Sequence, residues 1–205
     1  WAITLSLFLP VLLDISYFFL NVISPHLSNK LSWTLIPEFE RIFINSAKTN
    51  SDIFYIGSDP FLNTTSKCLD KIIRNNIKNV VIWPDDVRKI IGSFPNNSIS
   101  EIKLLFPDPW PKKKHKSRRL IQNDFLEIIY SIIKPKGTIT IATDHDKLKC
   151  WILDKFQRNG KFEWIVESSK DWEKRPNDCF QTKYELKSIL QKRKPSWFVF
   201  KKIQI

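Results

Sequence analysis

The chain has 205 residues, of which 42% are hydrophobic, so it is long enough to bury one core and we expect one folded domain. Its 33 lysines and arginines against 21 acidic residues give a formal net charge of +12, which disfavours cationic partners and favours polyanions such as nucleic acid or an anionic membrane surface. The cysteines Cys68, Cys150 and Cys179 lack the pairing and spacing of a disulfide framework or a zinc site, which fits a reducing cytoplasm.

The first 24 residues are almost continuously apolar. A signal peptide or membrane helix needs a basic segment before it or an uninterrupted apolar run, whereas Pro10, Asp14 and Asn21 interrupt this one. We therefore expect no stable membrane association, with a membrane-tethered basic protein as the alternative. The sequence begins at Trp1 and contains no methionine, so we expect a fragment or a processed product.

From residue 53 onward, short β-branched runs alternate with segments of helical period. This pattern is typical of a parallel sheet covered by helices, and it predicts an α/β fold with a doubly wound sheet. A stretch over residues 168–194 has no regular period. The predicted strands are 53–57, 79–83, 102–106, 138–142, 162–166 and 196–200, and the predicted helices are 62–73, 87–91, 121–132 and 148–156.

An aspartate follows each of four successive predicted strands. These residues are Asp59, Asp85, Asp108 and Asp144. Each one alone could cap the helix that follows it. However, ligands of doubly wound sheets bind beyond the carboxyl ends of the strands, so the repetition favours a binding site at this edge.

Residues 106–119 (FPDPWPKKKHKSRR) combine a carboxylate, a tryptophan and many cations in one proline-rich loop. The neighbouring prolines restrict the backbone around Asp108 and Trp110. A nucleobase could stack on Trp110 while Asp108 accepts its hydrogen bonds. Guanine suits this arrangement, because its N1–H and amino donors lie on the edge opposite N7. The alternative is a solvated basic loop with a structural Asp-Pro turn.

The string at 106–119 and the order of the elements resemble the bacterial tRNA (guanine-N7-)-methyltransferases over roughly residues 46–203. This resemblance implies a Rossmann-like class I methyltransferase fold, with a mostly parallel doubly wound sheet and an antiparallel last strand. It also implies a cytoplasmic enzyme that uses S-adenosylmethionine, without a metal, to methylate N7 of a variable-loop guanine in tRNA. A monomer and a homodimer both stay open.

The resemblance also implies roles for individual residues. Asp59 matches a contact to the cofactor ribose, and Asp85 matches a contact to its adenine end. Asp108 matches both the catalytic aspartate and a further cofactor contact. The matched substrate-binding residues are Lys112, Asp144, Thr182, Lys183, Tyr184 and Glu185. The irregular stretch at 168–194 is therefore predicted to be a substrate lid, and the cations at 112–119 are predicted to hold the tRNA backbone.

The glycine-rich turn that follows the first strand in this family is missing. No glycine occurs in residues 1–56, and residues 33–41 (WTLIPEFER) stand where the turn is expected, with only a faint echo of the strand at 13–16. We therefore divide the chain into an atypical apolar leader (1–45) and a methyltransferase domain (46–205). Three explanations stay open: a shifted reading frame upstream of Phe43, a catalytically impaired relative that binds tRNA, or an enzyme that holds the cofactor without this turn.

Overall fold

The computed structural model describes residues 23, 26, 30–35 and 39–204. The strands are β1 (Lys30–Leu35), β2 (Ile53–Ser58), β3 (Val80–Trp83), β4 (Ile99–Leu105), β5 (Ile133–Thr143), β6 (Phe162–Trp164) and β7 (Ser196–Lys202). The helices are α1 (Phe39–Thr49), α2 (Leu62–Arg74), α3 (Asn123–Ile132), α4 (Asp146–Asn159) and α5 (Lys183–Leu190).

The strands form one seven-stranded sheet in the order β3-β2-β1-β4-β5-β7-β6. All pairings from β3 to β5 are parallel, whereas β7 pairs antiparallel with both β5 and β6. The predicted fold class, a mostly parallel doubly wound sheet with an antiparallel last strand, is confirmed. Because the parallel strands all end at one edge of the sheet, the loops that follow them meet there.

Both faces of the sheet are covered by helices. On one face, α3 and α4 bury apolar side chains such as Leu126 and Ile152 against the sheet. On the other face, α1 and α2 contribute Phe43 and Cys68 to a second buried cluster. None of the helices in the described residues is both long and apolar enough to cross a bilayer.

Strand β1 precedes the predicted domain boundary at residue 46, yet it lies between β2 and β4 in the sheet. Trp33 is fully buried there, and its ring lies 4.7 Å from that of Phe94. The faint strand echo at residues 13–16 falls outside the described residues. The sheet therefore has a central strand at residues 30–35, although no glycine follows it before residue 57.

Two predicted segments differ in detail from the structure. The helix expected at 87–91 consists of two short 3-10 turns, Val87–Lys89 and Ile91–Ser93. The stretch at 168–194, expected to be irregular, contains a 3-10 turn at Asp171–Glu173 and the helix α5. The eight residues of α5 are too few to give a clear helical period in the sequence.

The first part of β5, directly after α3, depends on a glycine for space. A Cβ atom on Gly137 would lie 2.7 Å from Cγ1 of Ile133 and 2.9 Å from the carbonyl oxygens of Lys134 and Ser100. The residue with a positive φ in this part of β5 is Lys136, at 63°. The role of Gly137 is therefore to allow close packing against β4.

Candidate active site

A cavity of about 460 Å³ lies where β2, β3 and β4 end. Its walls combine three carboxylates with apolar and aromatic side chains from the strand ends and the loops after them. The carboxylates belong to Asp59, Asp86 and Asp108, and the aromatic side chains to Phe61 and Trp110. The predicted edge of the sheet therefore carries a pocket that brings Asp59 and Asp108 together.

Asp59 is held rigidly at the end of β2. The residue is only 3% exposed, and the backbone N–H of Phe61 donates to its Oδ1 at 2.8 Å. The backbone N–H of Asp59 donates to the carbonyl of Trp83 at 3.2 Å. The hydroxyl of Ser58 donates to the carbonyl of Asp85 at 2.8 Å, which ties the loop after β3 to the end of β2. The acid at residue 59 is thus fixed before any ligand binds.

The two adjacent aspartates after β3 face different surroundings. Asp85 pairs with Lys89 at 2.6 Å and accepts from the backbone N–H of Asp86, and it does not line the cavity. Asp86 does line the cavity, where it pairs with Arg88 and caps the next turn by accepting from the N–H of Arg88 at 2.9 Å. The sequence assigned the adenine-end contact to Asp85, and the geometry brings its neighbour to the cavity.

Both of these carboxylates have a pKa below the usual value for aspartate. The hydrogen bond from the Arg88 side chain lowers the pKa of Asp86, although burial opposes it. At Asp85 burial acts to raise the pKa, but the hydrogen bonds from Lys89 and from the backbone N–H of Asp86, together with the positive charge of Lys89, outweigh it, so the pKa lies below its usual value. The cavity wall at Asp86 is therefore a hydrogen-bond acceptor over the whole physiological pH range.

The loop after β4 has a strained backbone on both sides of Asp108. Phe106 has a φ of 53° and Trp110 a φ of 38°, values that cost non-glycine residues about 1–3 kcal/mol each. The carboxylate of Asp108 is exposed at the cavity mouth. The Arg118 guanidinium lies 5.0 Å above the Trp110 ring, and His115 meets that ring edge-on. Trp110 itself lines the cavity.

The cations at residues 112–119 divide into two groups. Lys112, Lys113, Lys114, Lys116 and Arg118 are exposed, as expected for groups that meet a polyanion. Arg119 is only 3% exposed, and it donates to the carbonyls of Pro109 (3.0 Å) and Trp110 (3.3 Å). Arg119 is therefore turned inward to the loop, unlike the other cations of this run.

Asp144 lies at the end of β5, next to the strand that carries Asp108. Its Oδ2 accepts from the Ser188 hydroxyl at 2.6 Å and pairs with the Arg193 guanidinium at 2.9 Å. These contacts connect the end of β5 to α5 and to the loop before β7. A second cavity of about 410 Å³ lies beside this group, between Glu185, Arg193 and Trp197.

The predicted substrate residues at 182–185 form the first turn of α5. The Thr182 hydroxyl caps the helix by accepting from the N–H of Glu185 at 2.8 Å, and Glu185 pairs with Arg175 at 2.8 Å. Lys183 and Tyr184 are exposed, and the Tyr184 ring stacks 6.2 Å from that of Phe106. The end of β4 is therefore the point at which the loop of Asp108 and the start of α5 approach each other.

A buried lysine attaches the segment before α5 to the sheet. Lys103 on β4 donates to Oδ2 of Asp178 at 2.8 Å and to its carbonyl at 3.1 Å, and it pairs with Glu101 at 3.3 Å. Ser32 on β1 donates to the other oxygen of Glu101 at 3.1 Å. Burial alone would lower the pKa of Lys103, but these carboxylates raise it above its usual range. The lysine therefore stays charged and holds the segment.

Among the described residues, no cluster of histidine, cysteine, aspartate and glutamate could hold a metal ion. What the cavity does offer is a set of carboxylate acceptors beside apolar walls. Such a set can bind a neutral or cationic ligand that carries hydroxyl or amino donors and a flat ring.

Comparisons with known proteins agree with this geometry. Residues 40–197 match the family described as "Putative methyltransferase". The tRNA (guanine-N(7)-)-methyltransferase of Hyphomonas neptunium is 40% identical over 158 residues, which cover 77% of this chain and 72% of that protein. The enzyme of the same name from Rhodospirillum rubrum is 31% identical over 78% of this chain, and the match spans 62% of its own length, slightly under two thirds.

A solved structure shares the same architecture. The aminoglycoside resistance methyltransferase NpmB1 superposes with a TM-score of 0.61 at 16% identity, over 88% of this chain and 92% of that one. At this identity the similarity concerns the fold. The order of strands, the place of the cavity and the match over residues 40–197 therefore all agree with a methyltransferase fold.

Proposed function

Because this chain belongs to the tRNA (guanine-N(7)-)-methyltransferase family, we propose that it transfers a methyl group from S-adenosylmethionine to N7 of a guanine in tRNA, in the cytoplasm. The observation that carries the proposal is the cavity in which Asp59, Asp86 and Asp108 meet beside Trp110. The variable-loop guanine is the target that the family resemblance implies.

The residues of this cavity fit the nucleoside half of S-adenosylmethionine. A ribose diol donates two hydrogen bonds, and the rigid carboxylate of Asp59 accepts them well. The adenine amino group needs an acceptor, which Asp86 offers, and the apolar lining residues Phe61 and Val87 would contact the flat ring. A positively charged sulfur is favoured beside Asp108, at the cavity mouth.

The guanine would enter from the side of β4 and β5. Trp110 offers a stacking surface on the face that Arg118 does not cover, and Asp108 offers an acceptor for N1–H and the amino group. Lys112, Asp144 and residues 182–185 are the further substrate contacts that we propose. The exposed lysines of the 112–116 run would hold the phosphates, since their charged groups face solvent. Arg119 differs, because it donates to the loop backbone.

For this reaction the protein mainly has to position the reactants and stabilise charge. When bound, S-adenosylmethionine supplies a methyl group on a cationic sulfur. Guanine N7 carries a lone pair and no proton, so no general base is needed. Asp108 orients the base and offsets the positive charge that develops on the ring, and the rigid strand ends hold the two partners in line.

The direct test uses the purified chain, S-adenosylmethionine labelled in its methyl group, and a tRNA transcript. We expect label to enter the tRNA as N7-methylguanosine. A transcript that contains 7-deazaguanine in place of guanine lacks the N7 atom and is the matched control, which should gain no label.

Two negative results separate the alternatives. A chain that binds S-adenosylmethionine and tRNA but transfers no label would be the catalytically impaired relative. A chain that binds tRNA but shows no heat of binding with S-adenosylmethionine would have lost the cofactor along with the glycine-rich turn.

A further inference from the structure

We propose that Arg119 is a positioning residue, which fixes the strained loop that carries Asp108 and Trp110, rather than a contact to tRNA phosphate. This inference rests on the proposed function, because it concerns the placement of the group that meets the guanine.

The guanidinium of Arg119 binds the loop through its backbone. Nε donates to the carbonyl of Pro109 at 3.0 Å and Nη2 to that of Trp110 at 3.3 Å. These two carbonyls lie directly after Asp108 in the chain. A planar fork that holds two successive carbonyls restricts both the position and the direction of the turn, which a single ammonium group cannot do.

The guanidinium is itself held from behind by a tryptophan. Its Cζ atom lies 4.9 Å from the centre of the Trp151 ring on α4. The indole N–H of Trp151 donates to the carbonyl of Ile121 at 2.8 Å, which fixes the ring. The helix α4 is part of the rigid core, because Leu148 and Ile152 on it are buried. The loop is thereby attached to the scaffold through Trp151 and Arg119.

The backbone at this loop needs such an attachment. Phe106 and Trp110 both have a positive φ, a conformation that persists only where the surroundings enforce it. Phe106 is held within the sheet, since its N–H donates to the carbonyl of Ala142 at 2.8 Å. The opposite end, at Trp110, is held by Arg119. Asp108 lies between these two fixed points.

Burial separates Arg119 from the phosphate-binding cations. Arg119 is only 3% exposed, and two of its five N–H donors already bind loop carbonyls, so little of its guanidinium is accessible to an RNA backbone. Its neighbours Lys113 and Lys114 are exposed and can do so. The two roles predict different kinetic effects, because a phosphate contact changes tRNA binding and its salt dependence, whereas a misplaced loop changes turnover.

The test compares Arg119→Lys and Arg119→Met with the parent chain in steady-state methylation and in tRNA binding at several salt concentrations. We expect both variants to lower kcat by roughly 100-fold, as a displacement of about 1 Å does. We expect KM for tRNA to change by no more than about twofold. The slope of log affinity against log salt should stay that of the parent in Arg119→Met, whereas Lys114→Met should reduce it by about 1.

Arg74→Lys is the matched control, since Arg74 is an exposed arginine on α2 whose partner is Asp70. It should leave kcat and KM unchanged. Thermal denaturation establishes that each variant is folded at the assay temperature. If Arg119→Lys is not, Trp151→Leu keeps apolar contact at the half-buried site but removes the ring face, and it should lower kcat with KM unchanged.

The outcomes are distinct. The inference is overturned if Arg119→Lys leaves kcat unchanged. It is also overturned if Arg119→Met has a normal kcat, a raised KM and a smaller salt slope, because Arg119 would then be a phosphate contact. A parent chain that transfers no methyl group refutes the proposed function, and this inference with it.

Discussion

The two adjacent aspartates after β3 give the sharpest prediction for the cofactor pocket. Only Asp86 lines the cavity, whereas Asp85 pairs with Lys89 outside it. We therefore expect Asp86→Asn to weaken the binding of S-adenosylmethionine and Asp85→Asn to leave it unchanged. The substitutions are matched, because each replaces a carboxylate by an amide, and the two positions are neighbours.

The magnitude follows from the loss of one charged acceptor. A hydrogen bond to a charged group contributes about 1.5–3 kcal/mol, and each 1.4 kcal/mol is about a factor of ten in affinity. Asp86 already pairs with Arg88 and its side chain is 31% exposed, so solvent and the guanidinium screen its charge. We expect the lower part of the range, about 10-fold to 30-fold in Kd.

The fold should tolerate both substitutions. Asparagine caps a helical turn as well as aspartate does, so Asp86→Asn keeps the hydrogen bond from the N–H of Arg88. At position 85 the change removes a pair whose side chains are 40% and 59% exposed, which contributes no more than about 1 kcal/mol. A difference in cofactor affinity would therefore report the pocket and not unfolding.

Isothermal titration calorimetry of S-adenosylmethionine into the parent chain and each variant measures the effect. Titration of the demethylated product S-adenosylhomocysteine separates the contribution of the sulfonium charge. Asp86→Asn should weaken the binding of both ligands equally. The reasoning is refuted if Asp85→Asn weakens binding as much as Asp86→Asn does, or if Asp86→Asn has no effect.

Three further changes test other parts of the structure. Asp108→Asn should lower kcat by about 100-fold or more while tRNA affinity is kept, and unchanged turnover in the methylation assay would contradict its assignment. Lys103→Met should lower the free energy of unfolding by about 3 kcal/mol in urea titrations, because it leaves Glu101 buried without its cation; a loss below about 1 kcal/mol would count against this buried pair. Partial desolvation of the Asp178 carboxylate raises its pKa, but the hydrogen bond from Lys103 and the positive charge of Lys103, together with weaker hydrogen bonds, outweigh this and lower the pKa. The stabilising effect of Asp178 is therefore present above its ordinary pKa and is lost as pH falls through the folded value. Asp178→Asn should accordingly be less stable than the parent at pH 7, with a gap that narrows below about pH 4, and a gap of constant size on acidification would rule this out.

The sequence predicted the sheet well because its parallel strands are buried on both faces. Such strands are near-continuous apolar runs, as at residues 79–83, and they stand out between segments of helical period. Strand β1 was harder to predict, since Ser32 and Thr34 interrupt its apolar run. Its place between β2 and β4 is a non-local property, which depends on hydrogen bonds to residues far along the chain.

The site was predicted less completely, because sequence gives neither direction nor burial. Asp85 and Asp86 are equally good acids in the sequence, and only the backbone of the turn decides which one faces the cavity. Likewise Arg119 looks like another cation of a basic run, but its burial gives it an internal role.

The position of β4 in the sheet supports the proposal that both halves of the reaction depend on Asp108. The cavity with Asp59 and Asp86 lies on the side of β2 and β3, whereas Asp144 and α5 lie on the side of β5 and β7. Strands β1 and β4 lie between these two groups. A carboxylate on the loop after β4 can therefore face a cofactor on one side and a base on the other. Of these two strands, β4 is the one that pairs with β5, and the loop after it places Asp108 in the cavity lining.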